Sequence, residues 1–201
     1  MRHTLTALLF LLVFSLNAQQ QQGGFCYTMQ VALASGAVNF APFKGEMDKD
    51  TFSYSVKEDI IKGGTFTKGK ITIEPVGNRF SQLANRTFRL NTMVFKSTII
   101  GYKASGIADT TVDADTYKRF EDFAKALAGQ CFAEYKFIQG SRNPRAGTFG
   151  TYYITPTEVA MDGDYIDFNR MIDKPFITVS LEAFFTKAFT IEVTFYYPTS
   201  K

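Results

Sequence analysis

The feature that most constrains this chain is a hydrophobic period of two that recurs from Phe25 to the C-terminus. Successive side chains of a strand point to opposite faces, so strict alternation marks strands with one buried face. The clearest cases come last. Ile177, Val179, Leu181, Ala183 and Phe185 alternate with Thr178, Ser180, Glu182 and Phe184. Phe189, Ile191, Val193, Phe195 and Tyr197 alternate with Thr190, Glu192, Thr194 and Tyr196. Joined at Thr186-Lys187, these runs predict a long antiparallel hairpin. That dipeptide is not a favoured glycine turn pair, so a longer loop is expected.

Other strands are predicted over 27–34, 51–57, 65–74, 87–95, 98–104, 131–139 and 148–154. Two short runs, 158–161 and 164–168, flank Asp162-Gly163, the strongest hairpin signal in the chain. One helix is predicted, over 114–128. There Tyr117, Phe120, Ala124, Leu127 and Ala128 form a single apolar stripe opposite Lys118, Glu121, Asp122 and Lys125. Asp113 is placed to cap it, Asp115 suits its first turn, and Gly129 suits a left-handed stop. The expected fold is mainly β: an antiparallel β-sandwich or β-barrel of about ten strands with one amphipathic helix packed against it.

The first 18 residues read differently. Arg2 and His3 precede the apolar run ALLFLLVFSL (7–16), and Asn17-Ala18 leads into Gln19, the pattern of a cleaved signal peptide. The run is too short to span a bilayer as a helix. Residues 19–24 (QQQQGG) form a polar, flexible leader, and 25–198 form one mainly β domain. A weak echo, Ile71-Thr72-Ile73 against Ile177-Thr178-Val179 with Cys26 and Cys131 each opening an alternating run, is compatible with two related β units. Shared β composition produces as much.

Cleavage after Ala18 removes His3, the chain's single histidine, and there is no tryptophan. Serine and cysteine triads then lack their imidazole, and zinc sites lack histidine ligands. The net charge is +3, with no basic block, which gives no footprint for nucleic acid. No second apolar run is long enough for a transmembrane segment. Export implies an oxidising compartment, secreted or periplasmic, where the two cysteines, Cys26 and Cys131, are expected to pair as a disulfide; two buried thiols are the alternative.

Several motifs are weaker than they look. Gly64 to Lys70 (GTFTKGK) matches most of a phosphate loop, but Ile71 stands where a hydroxyl must hold magnesium, and a strand follows instead of a helix. It reads as turns. Asp162, Asp164, Asp167 and Asn169 lack the closing glutamate of a calcium loop and read as a solvated turn. Of the further acids Asp109, Asp113 and Asp115, helix capping explains two. Arg142 and Arg145 lie on a loop, and Asn85-Arg86-Thr87 is an N-glycosylation triplet. No metal and no cofactor are expected.

What remains is aromatic content: 21 phenylalanines and 10 tyrosines, with Phe184, Phe185, Phe195, Tyr196 and Tyr197 placing rings on both faces of the last hairpin. Such a strand is buried twice, lines a cavity or meets a partner. These five are the candidate ligand-binding residues. The expected function is a non-enzymatic binding protein for an apolar, lipid-like small molecule or a protein partner. The alternative is a carboxylate-dependent, glycosidase-like hydrolase using acids such as Glu58, Asp59, Asp164 and Asp167. N-terminal sequencing of the exported protein is expected to begin at Gln19; a chain starting at Met1 would restore His3 and the chemistry it permits.

Overall fold

The computed structural model describes residues 24–48, 53–56, 66–68, 71–84, 87–102, 112–143, 147–163, 165–183 and 188–201. Helix α1 covers residues 24–35 and leads through two 3-10 turns, Gly36–Val38 and Ala41–Phe43. Strands β1 (Lys44–Asp48) and β2 (Ser53–Val56) pair as a separate ribbon. Then follow β3 (Phe66–Lys68), β4 (Ile71–Ala84), β5 (Phe88–Tyr102) and helix α2 (Ala114–Cys131). The chain ends with β6 (Lys136–Gln139), β7 (Thr148–Thr155), the small ribbon β8 (Met161–Asp162) and β9 (Tyr165–Ile166), β10 (Phe176–Glu182) and β11 (Ala188–Ser200).

The main sheet is antiparallel and seven-stranded, in the order β3-β4-β5-β11-β10-β7-β6. It does not close into a barrel, because β3 and β6 lie at opposite ends of that order. The expectation of a mainly β, antiparallel fold is met, with two helices in place of one. Predicted strands 87–95 and 98–104 are one continuous strand, β5, kept in register with β11 by bulges around Thr190.

The segment predicted as a strand over 27–34 is helical. The alternation of Tyr27, Met29, Val31 and Leu33 is one reading of a stretch whose buried residues are Phe25, Thr28, Met29, Ala32 and Leu33. Those follow the spacing i, i+3, i+4, i+7, i+8, and Tyr27 is 69% exposed. Likewise the strand predicted to open at Cys131 begins only at Lys136, because α2 passes Gly129 and continues to Cys131. Both cysteines are therefore helical. At the other end of α2 the expected cap forms: the Asp113 carboxylate accepts from the Thr116 amide at 2.8 Å.

One face of the sheet, the inner face, is the core. Phe120, Phe123 and Leu127 of α2 and Phe25 and Met29 of α1 pack onto Phe95, Ile154, Val179, Val193 and Phe195. The rings tilt or meet edge-on, as at Phe66–Phe123 (5.4 Å, 80°) and Phe149–Phe189 (5.0 Å, 87°). Two glycines set the helix–sheet distance. A Cβ at Gly150 would lie 2.8 Å from Phe120 Cε1, and one at Gly101 would lie 2.9 Å from Thr116 Oγ1. Asn91, buried in β5, donates to the Gly36 carbonyl at 3.0 Å and ties the turn after α1 to the sheet.

The disulfide Cys26–Cys131 joins the two helices across 105 residues. Closing so long a loop removes unfolded-chain entropy worth about 4–5 kcal/mol. Replacing both cysteines by serine is expected to lower the unfolding free energy by about 4 kcal/mol, read from urea denaturation. Gly150→Ala should cost about 1–3 kcal/mol by forcing the Phe120 ring aside. An alanine variant as stable as the parent would mean that α2 lifts freely from the sheet.

Candidate functional site

The opposite, outer face carries the polar half of each alternation. Cross-strand registry arranges it in rows: Tyr153 on β7 faces Thr178 on β10, which faces Thr194 on β11. In the next row Thr151 faces Ser180, which faces Glu192. Directly opposed residues sit about 5 Å apart, so these side chains form a lattice. Over part of it lies a concave trough of about 280 Å³. Its floor is Thr151, Thr178 and Ser180, all less than a tenth exposed.

One end of the trough is polar because of a β-bulge. Leu181 pairs with Gly150, but Glu182 pairs with Thr148, so Phe149 is the extra residue on β7. The bulge leaves Phe149 and Gly150 on the core side and turns Thr148 outward beside Glu182. The Thr148 hydroxyl lies 3.1 and 3.0 Å from the two carboxylate oxygens of Glu182. Thr148 also exchanges backbone hydrogen bonds with Asn143 at 2.9 and 3.1 Å, which brings Ser141 and Asn143 to the rim.

The other end is aromatic. Phe176 and Tyr196 stack at 4.8 Å and 7°, and Phe168 lies over Phe176 at 6.3 Å and 27°. The β8–β9 ribbon, turned at Gly163 (φ 59°), brings Ile166 to the wall and leaves Tyr165 72% exposed at its lip. Tyr153 forms a side wall; its ring occupies space that a Cβ on Gly140 would invade at 2.6 Å. Burial raises the Tyr153 phenol above its ordinary pKa, and Ser141 hydrogen-bonds to it. Burial likewise raises Tyr196, with the Glu182 and Glu192 carboxylates adding to the effect while Thr178 and Thr194 hydrogen-bond its hydroxyl.

Of the five residues expected to bind ligand, Tyr196 lines the trough. Phe195 points the other way, wholly buried with its ring 5.2 Å from Phe95. Tyr197 lies on that same side against Gly36. Phe184 and Phe185 fall outside the described residues. The trough residues that aromatic counting overlooks are Thr148, Thr151, Thr178, Ser180 and Glu182. Their signal was present as the polar partners of the same alternation.

The remaining motifs resolve into local structure where they are described. Phe66–Lys68 pairs antiparallel with β4, and Ile71 opens that strand, so no helix follows the phosphate-loop-like stretch. Asp167 accepts from the Asn169 amide at 3.1 Å, and Asn169 accepts from the Thr87 hydroxyl. Asp115 pairs with Arg119 in the first turns of α2, and the Arg142 guanidinium lies 4.2 Å from the Tyr117 ring centre. Glu58, Asp59, Asn85, Arg86, Asp109, Arg145 and Asp164 lie outside the described residues. Among the described residues no group of three or more acidic, histidine or cysteine side chains gathers as a metal site, and no helix is long and apolar enough to cross a membrane.

Comparison with protein families, with curated proteins and with solved structures finds no match to this chain.

The tyrosines give a pH test. Tyr152 behaves like Tyr153 and Tyr196: burial raises its phenol, helped by Tyr117 and by the Glu121 carboxylate that its hydroxyl meets at 3.1 Å. The folded protein therefore retains protons that the unfolded chain releases near pH 10. Stability should be unaffected below about pH 10 and fall as pH rises through the raised values. In an alkaline titration, tyrosinate absorbance should appear in two phases, the later one coinciding with loss of circular dichroism. A single phase near pH 10 with the fold intact would contradict the assigned burial.

Proposed function

We propose that this is a non-enzymatic, extracytoplasmic binding protein whose small-molecule site is the trough on the outer face of β7, β10 and β11. The observation that carries the reading is a built concavity. A bulge, a short ribbon turned at Gly163 and a glycine-relieved tyrosine converge on one patch of the sheet. The disulfide fits the oxidising compartment that the N-terminal sequence implies.

The lining favours an amphipathic ligand over a wholly apolar one. Hydroxyls of Thr151, Thr178 and Ser180 under a hydrocarbon chain would lose water, at about 1–3 kcal/mol for each one left unpaired. The aromatic end accepts apolar surface and the Glu182 end accepts donors. Hydrolysis by paired carboxylates is less well supported, since Glu182 is the one acid among the described lining residues and that chemistry needs two across a cleft.

A thermal-shift screen against a small-molecule library tests the site without presupposing the ligand. Compounds that raise Tm in the parent are expected to lose their effect in Ser180→Phe, which fills the floor. Thr151→Val, an isosteric loss of one hydroxyl, should weaken the same compounds about tenfold while leaving unliganded stability nearly unchanged. Hits that survive in both variants would place the binding site elsewhere.

A further inference from the structure

We infer that the ligand of the trough is a neutral saccharide, seated with one ring face on Tyr165 and its hydroxyls on the floor; this rests on the trough being a binding site. Hydroxyl groups both donate and accept and rotate to suit, whereas ammonium groups only donate and carboxylates only accept. The floor is built almost wholly from such dual groups, the hydroxyls of Thr151, Thr178 and Ser180. Its complement is a ligand with the same dual character at several adjacent positions, which describes a sugar ring.

The cross-strand registry strengthens the match. Thr151 faces Ser180, and Tyr153 faces Thr178, so the hydroxyls recur at strand spacing across the floor instead of converging on one point. A single anion or cation wants converging partners; a polyol presents its groups spread over a plane. At the far end Thr148 orients the Glu182 carboxylate, which adds acceptor oxygens to the same surface.

The aromatic lip supplies the other half of sugar recognition. The π face of a tyrosine is electron-rich, and the C–H groups on one side of a pyranose are its weakly positive complement. Tyr165 is 72% exposed, yet it lines the trough at the end of a ribbon that pairs only Met161 with Ile166 and Asp162 with Tyr165. An aromatic ring that lines the trough from so short a ribbon, and belongs to neither hydrophobic cluster, has no core to serve. A bound ring between Tyr165 and the floor would cover both.

Isothermal titration with cellobiose, maltose, lactose and N,N′-diacetylchitobiose tests the inference, with dodecanoate and tyramine as apolar and cationic probes of the same trough. At least one disaccharide is expected to bind. Tyr165→Ala should weaken it about tenfold or more, and Glu182→Gln about tenfold, the loss expected when one stacking or hydrogen-bonding group goes. Tyr165 is exposed and the glutamine isosteric, so circular dichroism of both variants should match the parent. Binding of dodecanoate or tyramine that Ser180→Phe abolishes, with no disaccharide bound, would overturn the saccharide and leave the binding site standing. Disaccharide binding that ignores both substitutions would overturn the placement. No binding by any probe would remove this inference, whereas the thermal-shift screen judges the site independently.

Discussion

The pairing of β5 with β11 is the interaction on which the remainder depends. It runs from Phe88 against Ser200 to Tyr102 against Ala188, so chain segments about a hundred residues apart form the centre of one sheet. Every other strand of the sheet is reached outward from this pair: β4 and β3 on one side, β10, β7 and β6 on the other. Each flank is laid down after a helix, α1 before the first and α2 before the second. The disulfide then links those helices on the inner face. Loop-closure entropy must be met before such distant strands gain anything from pairing, and a covalent tie between the helices reduces that entropy in the unfolded chain.

The two faces of the sheet divide the labour through the strand period. Along β10, Ile177, Val179 and Leu181 enter the core while Thr178, Ser180 and Glu182 turn outward. The outer face is polar along Thr178, Ser180 and Glu182 and aromatic at Phe176 and Tyr196, where a second, smaller cluster forms with Met171. The bulge at Phe149 adds one buried ring to the core and rotates Thr148 toward Glu182. A single extra residue thus serves packing on one side and polar geometry on the other. Gly150, beside the bulge, lets α2 approach that same strand from the core side, so site geometry and helix packing are mechanically joined.

Alternation made the facing of the C-terminal strands legible: Ile177, Val179 and Leu181 with Ile191, Val193 and Phe195 are the buried sets that the sequence pattern assigns. Capping chemistry made α2 legible at Asp113. The helix at 24–35 was not, because Met29 and Leu33 satisfy a period of two and of nearly four alike, and only tertiary burial of Phe25 and Ala32 decides between them. The candidate site was half legible. Alternation separates Phe195 from Tyr196, but weighting aromatics over their polar neighbours concealed the trough floor. The contribution of β8–β9 could not be read from spacing at all, since nothing local in Asp162-Gly163 says which sheet face the ribbon will cover.

A plainer account of the threonines is that they are good strand formers on a solvated face. That account explains their presence but not their setting. Solvated strand positions are exposed, whereas Thr151, Thr178, Ser180 and Thr194 are each less than a tenth exposed, with Tyr153 and Tyr196 standing beside them. Propensity alone would also place valine or isoleucine at buried positions as readily as threonine. Burying a hydroxyl costs free energy unless it is hydrogen-bonded, and part of that cost is met within the sheet, where Thr178 and Thr194 hydrogen-bond the Tyr196 hydroxyl. Those bonds account for Thr178 and Thr194 within the fold, whereas Thr151 and Ser180 face the open trough, and on the proposed reading it is their hydroxyls that a ligand would meet.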